Sequence, residues 1–226
     1  MAMETSRLWK ELRREKGTQR EYAFEIDGRR YGAESEIGHS VERELFEEFG
    51  FGNAAAATLK LRLLAESIPR GAEIRRFVRL KNGERVSEWL PAGVFFVNRR
   101  SEEDGVWTLE AFDAMRKAER VWEPRQDIRF PLAMPEAAEE FARLMGCAID
   151  PRTRLDPAYT IDYPANDYTM RQELQFIAAA HGGNWIVTGE GKLLLLPLGG
   201  EPEETYWLVD ERGEAITLGG VRLKIG

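Results

Sequence analysis

Side chains able to do chemistry are few in this chain of 226 residues, which holds one cysteine, Cys147, and two histidines, His39 and His181. A single thiol excludes an intrachain disulfide, and three such residues are too few for a thiolate or imidazole metal cage. His181 falls in the last turn of an expected helix, where a cation complements the dipole and caps carbonyls, so it reads as a helix end before it reads as a base. His39 lies in an expected polar loop with no readable Ser, Cys or Asp partner. Glu42, Glu44, Glu47 and Glu48 cluster near Phe46, Phe49 and Phe51, and two carboxylates are what glycoside hydrolysis needs as acid and base. Such pairs meet from distant elements inside a cleft, whereas neighbours on a strand alternate between faces, which favours an acidic solvated edge. Gly189-Glu190-Gly191-Lys192 is the nearest approach to a phosphate-cradling loop, but it lacks the Ser or Thr and sits in a hairpin turn instead of before a helix. Trp89, Trp107, Trp122 and Trp185 have faces that stack on sugars, yet half-buried strands carry tryptophans of this kind for packing. No catalytic, cofactor-binding or metal-binding residue is assigned, and no cofactor is expected.

The balance of charge narrows the partners. Lys and Arg number 32 against 39 Asp and Glu, a net charge of -7, so the field of the whole molecule repels phosphates and sequence-specific nucleic-acid binding is not expected. Hydrophobic residues at 43% and charged residues at 31% are the proportions of an ordinary globular chain of one or two domains. The longest apolar runs fall far short of the ~20 residues that cross a bilayer. No signal segment opens the chain. A soluble protein without stable membrane insertion is expected.

The elements that would position these residues are mostly strands. Ser6 to Lys16 has a short amphipathic helical face, Leu8, Trp9 and Leu12, stopped by Gly17. Tyr22, Phe24 and Ile26 lead to Asp27-Gly28 and Tyr31, the chemistry of a two-residue hairpin in which both central residues need positive φ. Thr58 to Leu64 alternates leucines with Lys60 and Arg62, a strand with one wet face. Ile74 to Leu80 and Val86 to Leu90 flank Asn82-Gly83, and Val94 to Val97 and Val106 to Ala111 flank Asp104-Gly105. About six strands between 22 and 112 predict an antiparallel sandwich or barrel, followed by a helix over Asp113 to Trp122. After Phe130, Ala137, Phe141, Leu144 and Met145 share a helical face ended by Gly146. Thr169 and Gln172 form a capping box before Met170, Leu174, Ile177 and Ala178. Asn184 to Val187 and Lys192 to Leu196 then make a hairpin, so that 130–198 reads as a small α+β unit. Strand texture returns at Tyr206 to Val209 and Ala215 to Leu218.

Two stretches carry more than periodicity. The first runs Ile68-Pro69-Arg70-Gly71-Ala72-Glu73-Ile74, then Ser87 through Val97, then Leu109-Glu110-Ala111-Phe112-Asp113-Ala114-Met115. The second runs from Tyr168-Thr169-Met170-Arg171-Gln172-Glu173-Leu174 through Ile177 to Gly183 and on to Gly191-Lys192-Leu193. Together they resemble phage and prophage tail-tip proteins of the baseplate-hub family, over about residues 20–197. The resemblance implies a homotrimer whose β-barrels form a ring below the tail tube, with a small α+β domain inserted in the barrel. It further implies a place in the virion tail after assembly in the bacterial host cytoplasm, with tail tube, spike and other tail proteins as partners.

The expected fold is therefore α+β, mostly β: an N-terminal helix or arm (1–17), an antiparallel barrel (18–125), an inserted α+β domain (130–198) and strands returning to the barrel (200–226). The expected role is a non-enzymatic structural hub at the tail tip. A tail-associated cell-wall hydrolase and a carbohydrate-binding module stay open as alternatives. The stretch Val221 to Gly226 stops in mid-texture, where many members of that family run on. Carboxylates facing the lumen of such a ring would keep passing DNA from adhering, since like charge leaves no counterion-release gain.

Overall fold

The computed structural model describes residues 5–43, 50–163 and 167–199, and beyond them the short strand segments 206–207, 217–218, 221–222 and 224–225. The chain divides into two units, Met1–Leu196 and Pro197–Gly226.

Alternating apolar residues build the main sheet of the first unit. Its strands are β1 (Gln19–Ile26), β2 (Arg29–Tyr31), β3 (Glu36–Glu42), β4 (Thr58–Leu64), β5 (Glu73–Asn82), β6 (Arg85–Val86), β7 (Leu90–Glu103) and β8 (Val106–Phe112). They lie in the order β2-β1-β5-β7-β8-β4-β3, with β6 continuing the β5 edge, and every pairing is antiparallel. The sheet curls into a half-barrel. Leu59, Leu61 and Leu63 of β4 register with Ala111, Leu109 and Trp107 of β8. With Phe24, Ile26, Ile74 and Phe95 they form a buried interior. Lys60 and Arg62, at the positions between, stay exposed. This is the expected mostly β architecture.

Two hairpins turn where the sequence places them: Asp27 and Asp104 have φ of 50° and 52° beside Gly28 and Gly105, the positive values a twist-matched two-residue turn requires. The third turn is displaced by one residue. Asn82 pairs with Arg85, so Gly83 and Glu84 are its centre, with Gly83 at φ 60°. The strand expected over Val86 to Leu90 is also broken. Ser87 donates its backbone N–H to Leu80 O, and its hydroxyl accepts from Leu80 N, each at 2.9 Å. Pairing resumes only at Leu90 with Val78.

The N-terminal helix α1 (Arg7–Leu12) is shorter than expected, because the Thr18 hydroxyl takes the Leu12 carbonyl at 2.8 Å and turns the chain toward β1. Ser6 caps its start by accepting from Trp9 N, and Glu11 and Glu15 both bind Arg85.

A second core follows β8. A 3-10 turn over Ala114–Glu119 stands where a longer helix was expected, capped by Asp113. The short strands β9 (Leu132–Ala133) and β10 (Thr160–Ile161) pair beside α2 (Met134–Met145), α3 (Met170–Ala180) and the hairpin of β11 (Gly183–Val187) and β12 (Leu193–Pro197). Gly146, at φ 74°, ends α2, and the Thr169–Gln172 capping box opens α3. Trp122, Phe141, Met145, Leu174, Ile177 and Trp185 are buried together, with Trp122 edge-on to Phe141 at 4.8 Å between ring centroids.

In the second unit, β13 (Tyr206–Trp207) pairs with β16 (Lys224–Ile225), and β14 (Thr217–Leu218) with β15 (Val221–Arg222), both antiparallel.

Candidate functional site

The two histidines sit in different settings. His39 is not in a loop: it lies on β3, opposite Leu61 of β4, with a side chain only 9% exposed. Curling of the sheet brings its ring edge-on to Tyr22 and Phe24 of β1, at 4.4 and 5.1 Å. Glu36 Oε1 is 2.5 Å from its Nδ1 and Arg76 Nη2 of β5 is 3.2 Å from its Nε2. A guanidinium can only donate, so Nε2 holds the lone pair and Nδ1 carries the proton. Arg76 also covers the Tyr22 ring at 4.5 Å. Burial lowers the Arg76 guanidinium from its ordinary value, opposed by Tyr22 and Glu36. The cluster therefore pins β3 to β1 and β5 across the half-barrel. Arg76 Nε, also buried, has no hydrogen-bond partner among the described residues.

His181 caps the C-terminal end of α3, as its position in the sequence suggests, but as a neutral ring. Its Nδ1 is 2.8 Å from the Ile177 carbonyl and its Nε2 accepts from Asp156 N at 2.9 Å.

The acidic group is only partly described. Glu42 is exposed on β3 and bridges to Lys60 at 2.8 Å, and Phe51 is 62% exposed. Glu44, Phe46, Glu47, Glu48 and Phe49 lie outside the described residues. Cys147 is half-buried, and burial pushes its thiol up to about 11, which makes it a poor nucleophile. Among the described residues no three His, Cys, Asp or Glu side chains gather as a metal-ligand set, and no helix is long and apolar enough to cross a membrane.

Of the four tryptophans read as candidate stacking faces, Trp122 and Trp185 are buried and Trp89 and Trp107 half-buried. Trp185 is fully buried and donates its indole N–H to Leu174 O at 2.7 Å, and Trp107 donates to Ala65 O at 3.0 Å while Arg100 lies over its ring. Trp89 is half-buried, with the guanidinium groups of Arg30 and Arg79 stacked on it at 4.8 and 4.5 Å. Around it the outer face of the sheet is laced with ion pairs, including Arg79–Glu21 and Lys81–Glu21.

The two cores meet at a junction that sequence reasoning did not single out. Asp113, 3% exposed, accepts from Ala57 N at 3.1 Å and from Met115 N at 3.0 Å, and its own N–H donates to Ala57 O. Burial raises its carboxyl to about 6, against the opposing pull of those two N–H donors. The Gly189-Glu190-Gly191-Lys192 turn holds no helix start. It rests instead against β7: a Cβ on Gly189 would stand 2.5 Å from the Pro91 carbonyl oxygen. The loop before β4 completes the junction, since Trp185 N donates to Asn53 O and Asn184 Oδ1 accepts from Asn53 N, both at 2.8 Å. Everything in this arrangement joins elements to one another.

No family model and no curated protein sequence matches the chain. Solved structures do. The 43 kDa tail protein of prophage MuSo2 from Shewanella oneidensis superposes with a TM-score of 0.51 at 13% identity, over 78% of this chain and 54% of that one. The tail protein from Neisseria meningitidis MC58 superposes with a TM-score of 0.52 at 14% identity, over 87% of this chain and 58% of that one. The chain thus spans a little over half the length of these two structures. At such identities the likeness is one of architecture, and the fold is one that phage tail proteins have.

Proposed function

We propose that the chain is a non-enzymatic structural component of a phage or prophage tail, located in the virion tail after assembly in the host cytoplasm. In this reading three copies form a hub at the tail tip, and the hub joins the tail tube to the spike or fibre. The supporting observation is the shared architecture, which runs through both cores of the first unit and reaches 87% of the chain. The use of His39, Arg76, Asp113 and Asn184 to tie elements together fits the same role, because a hub transmits load through rigid parts.

Antibody labelling of purified tails or induced particles in the electron microscope tests it. Label at the end of the tail distal to the head is expected, and particles lacking the protein would overturn the reading. A cell-wall hydrolase is the competing reading. Peptidoglycan clearing by this chain alone, abolished by Glu48→Gln, would establish that alternative, whereas intact peptidoglycan is expected.

A further inference from the structure

The outer face of β3, β4, β8 and β7 forms a shallow trough of about 670 Å³. Its walls include Ser40, Lys60, Arg62, Arg99, Thr108 and Glu110. In a chain of net charge -7 this is a local reversal of sign, and its cations are under-used. Lys60 is held by Glu42 at 2.8 Å, but Arg99 reaches Glu110 only at 3.8 Å, and Arg62 forms no ion pair among the described residues.

The complementary charge stands at the tip of the β7–β8 hairpin. Residues Asn98 to Gly105 are all exposed, and the turn carries three successive carboxylates, Glu102, Glu103 and Asp104. Glu102 accepts from Gly105 N at 2.7 Å and stiffens the turn. Glu103 and Asp104 have no ion pair among the described residues. Tip and trough belong to one rigid ladder. The trough lining runs out to Ser101 and Thr108, and a rise of ~3.3 Å per residue carries Glu103 past that end, roughly 13 Å along β7 from Arg99.

We propose that the trough receives the acidic β7–β8 tip of a second copy of this chain. The contact joins two different patches, head to tail, which is the kind of interface that closes into a ring when its rotation permits. This inference rests on the self-assembly reading above and adds to it the surfaces that meet.

Sedimentation velocity of the full chain over a concentration series tests it, in low and high salt, with two charge-changing variants. Arg62→Glu with Arg99→Glu reverses the trough. Glu103→Lys with Asp104→Asn neutralises the tip, whose remaining Glu102 balances the new lysine, and keeps a turn-forming Asn-Gly. All four positions are exposed, so the fold is expected to survive. Wild-type association should weaken by ~10-fold or more between low and high salt, and either variant should weaken it by at least ~10-fold. Combining all four substitutions should weaken it by less than the product of the two separate effects, because a neutral tip is no longer repelled by the reversed trough. Wild-type association that neither variant changes would overturn the proposed surfaces while leaving self-assembly standing. A chain that stays monomeric at every concentration would overturn both. Retention of duplex DNA that is lost with the trough variant, with association unchanged, would assign the trough to nucleic acid and overturn the proposal.

Discussion

The half-barrel and the α+β core beside it are stabilised in different ways. Each strand of the sheet brings its own buried row, such as Leu59, Leu61 and Leu63, and its wet side is tied by ion pairs like Arg79–Glu21. Loss of one side chain is shared among neighbours on two flanking strands. The second core gathers its buried side chains from the 3-10 turn, two helices and the β11–β12 hairpin, and Trp185 joins β11, the Leu174 carbonyl and the Asn53 loop. The lesson is that periodic burial spreads risk, whereas convergent burial concentrates it.

Trp185→Ala should break this comparison most sharply. Loss of a fully buried aromatic costs ~3–5 kcal/mol, and the Leu174 carbonyl loses its donor. Denaturant unfolding should show that loss, and hydrogen exchange should accelerate in α3 and β11 ahead of β4 and β8. Equal acceleration in both regions would mean that they unfold as one unit.

The next effect concerns pH at two buried carboxylates. Folded Asp113 holds its proton more tightly than the unfolded chain does, with a value near 6 against 3.8. Its contribution is fully present below pH 3.8 and is lost as pH rises through about 6, a decline of roughly 3 kcal/mol. Asp113→Asn should remove that slope from a stability-versus-pH profile. Asp150 behaves in the opposite sense. Hydrogen bonds from Arg152 lower its carboxyl to about 2, so its contribution is present above 3.8 and is lost as pH falls through about 2. A profile that is flat between pH 4 and 6 in the wild type would contradict the burial of Asp113.

Gly189→Ala tests the seam between the cores. Its Cβ would meet the Pro91 carbonyl, and relief of such overpacking costs ~1–3 kcal/mol, read as a lowered denaturation midpoint. Thr169→Ala should cost least, ~1 kcal/mol, the worth of one helix cap. Its exchange signature should be confined to the first turn of α3.

Local chemistry made much of this legible from residue types. The two Asp-Gly turns, the leucine alternation of β4 and the Thr169–Gln172 box each encode their conformation within a few residues. The strand β3 was hidden because Ile37 is 48% exposed and Gly38 offers no side chain, so its inward side shows in the sequence only as His39 and Val41. The break at Ser87 arises from a side chain competing for the Leu80 N–H, which no hydrophobic pattern records. His39 and Arg76, 37 positions apart, meet only because the sheet curls. Charge balance had a similar blind spot: the total of -7 conceals a cationic trough whose existence depends on four strands lying side by side.

Copy number in purified particles is the most direct test of the tail-hub account, measured by mass spectrometry against isotope-labelled peptides of this chain. Three copies per tail are predicted. A purified, infectious particle containing none would contradict the account.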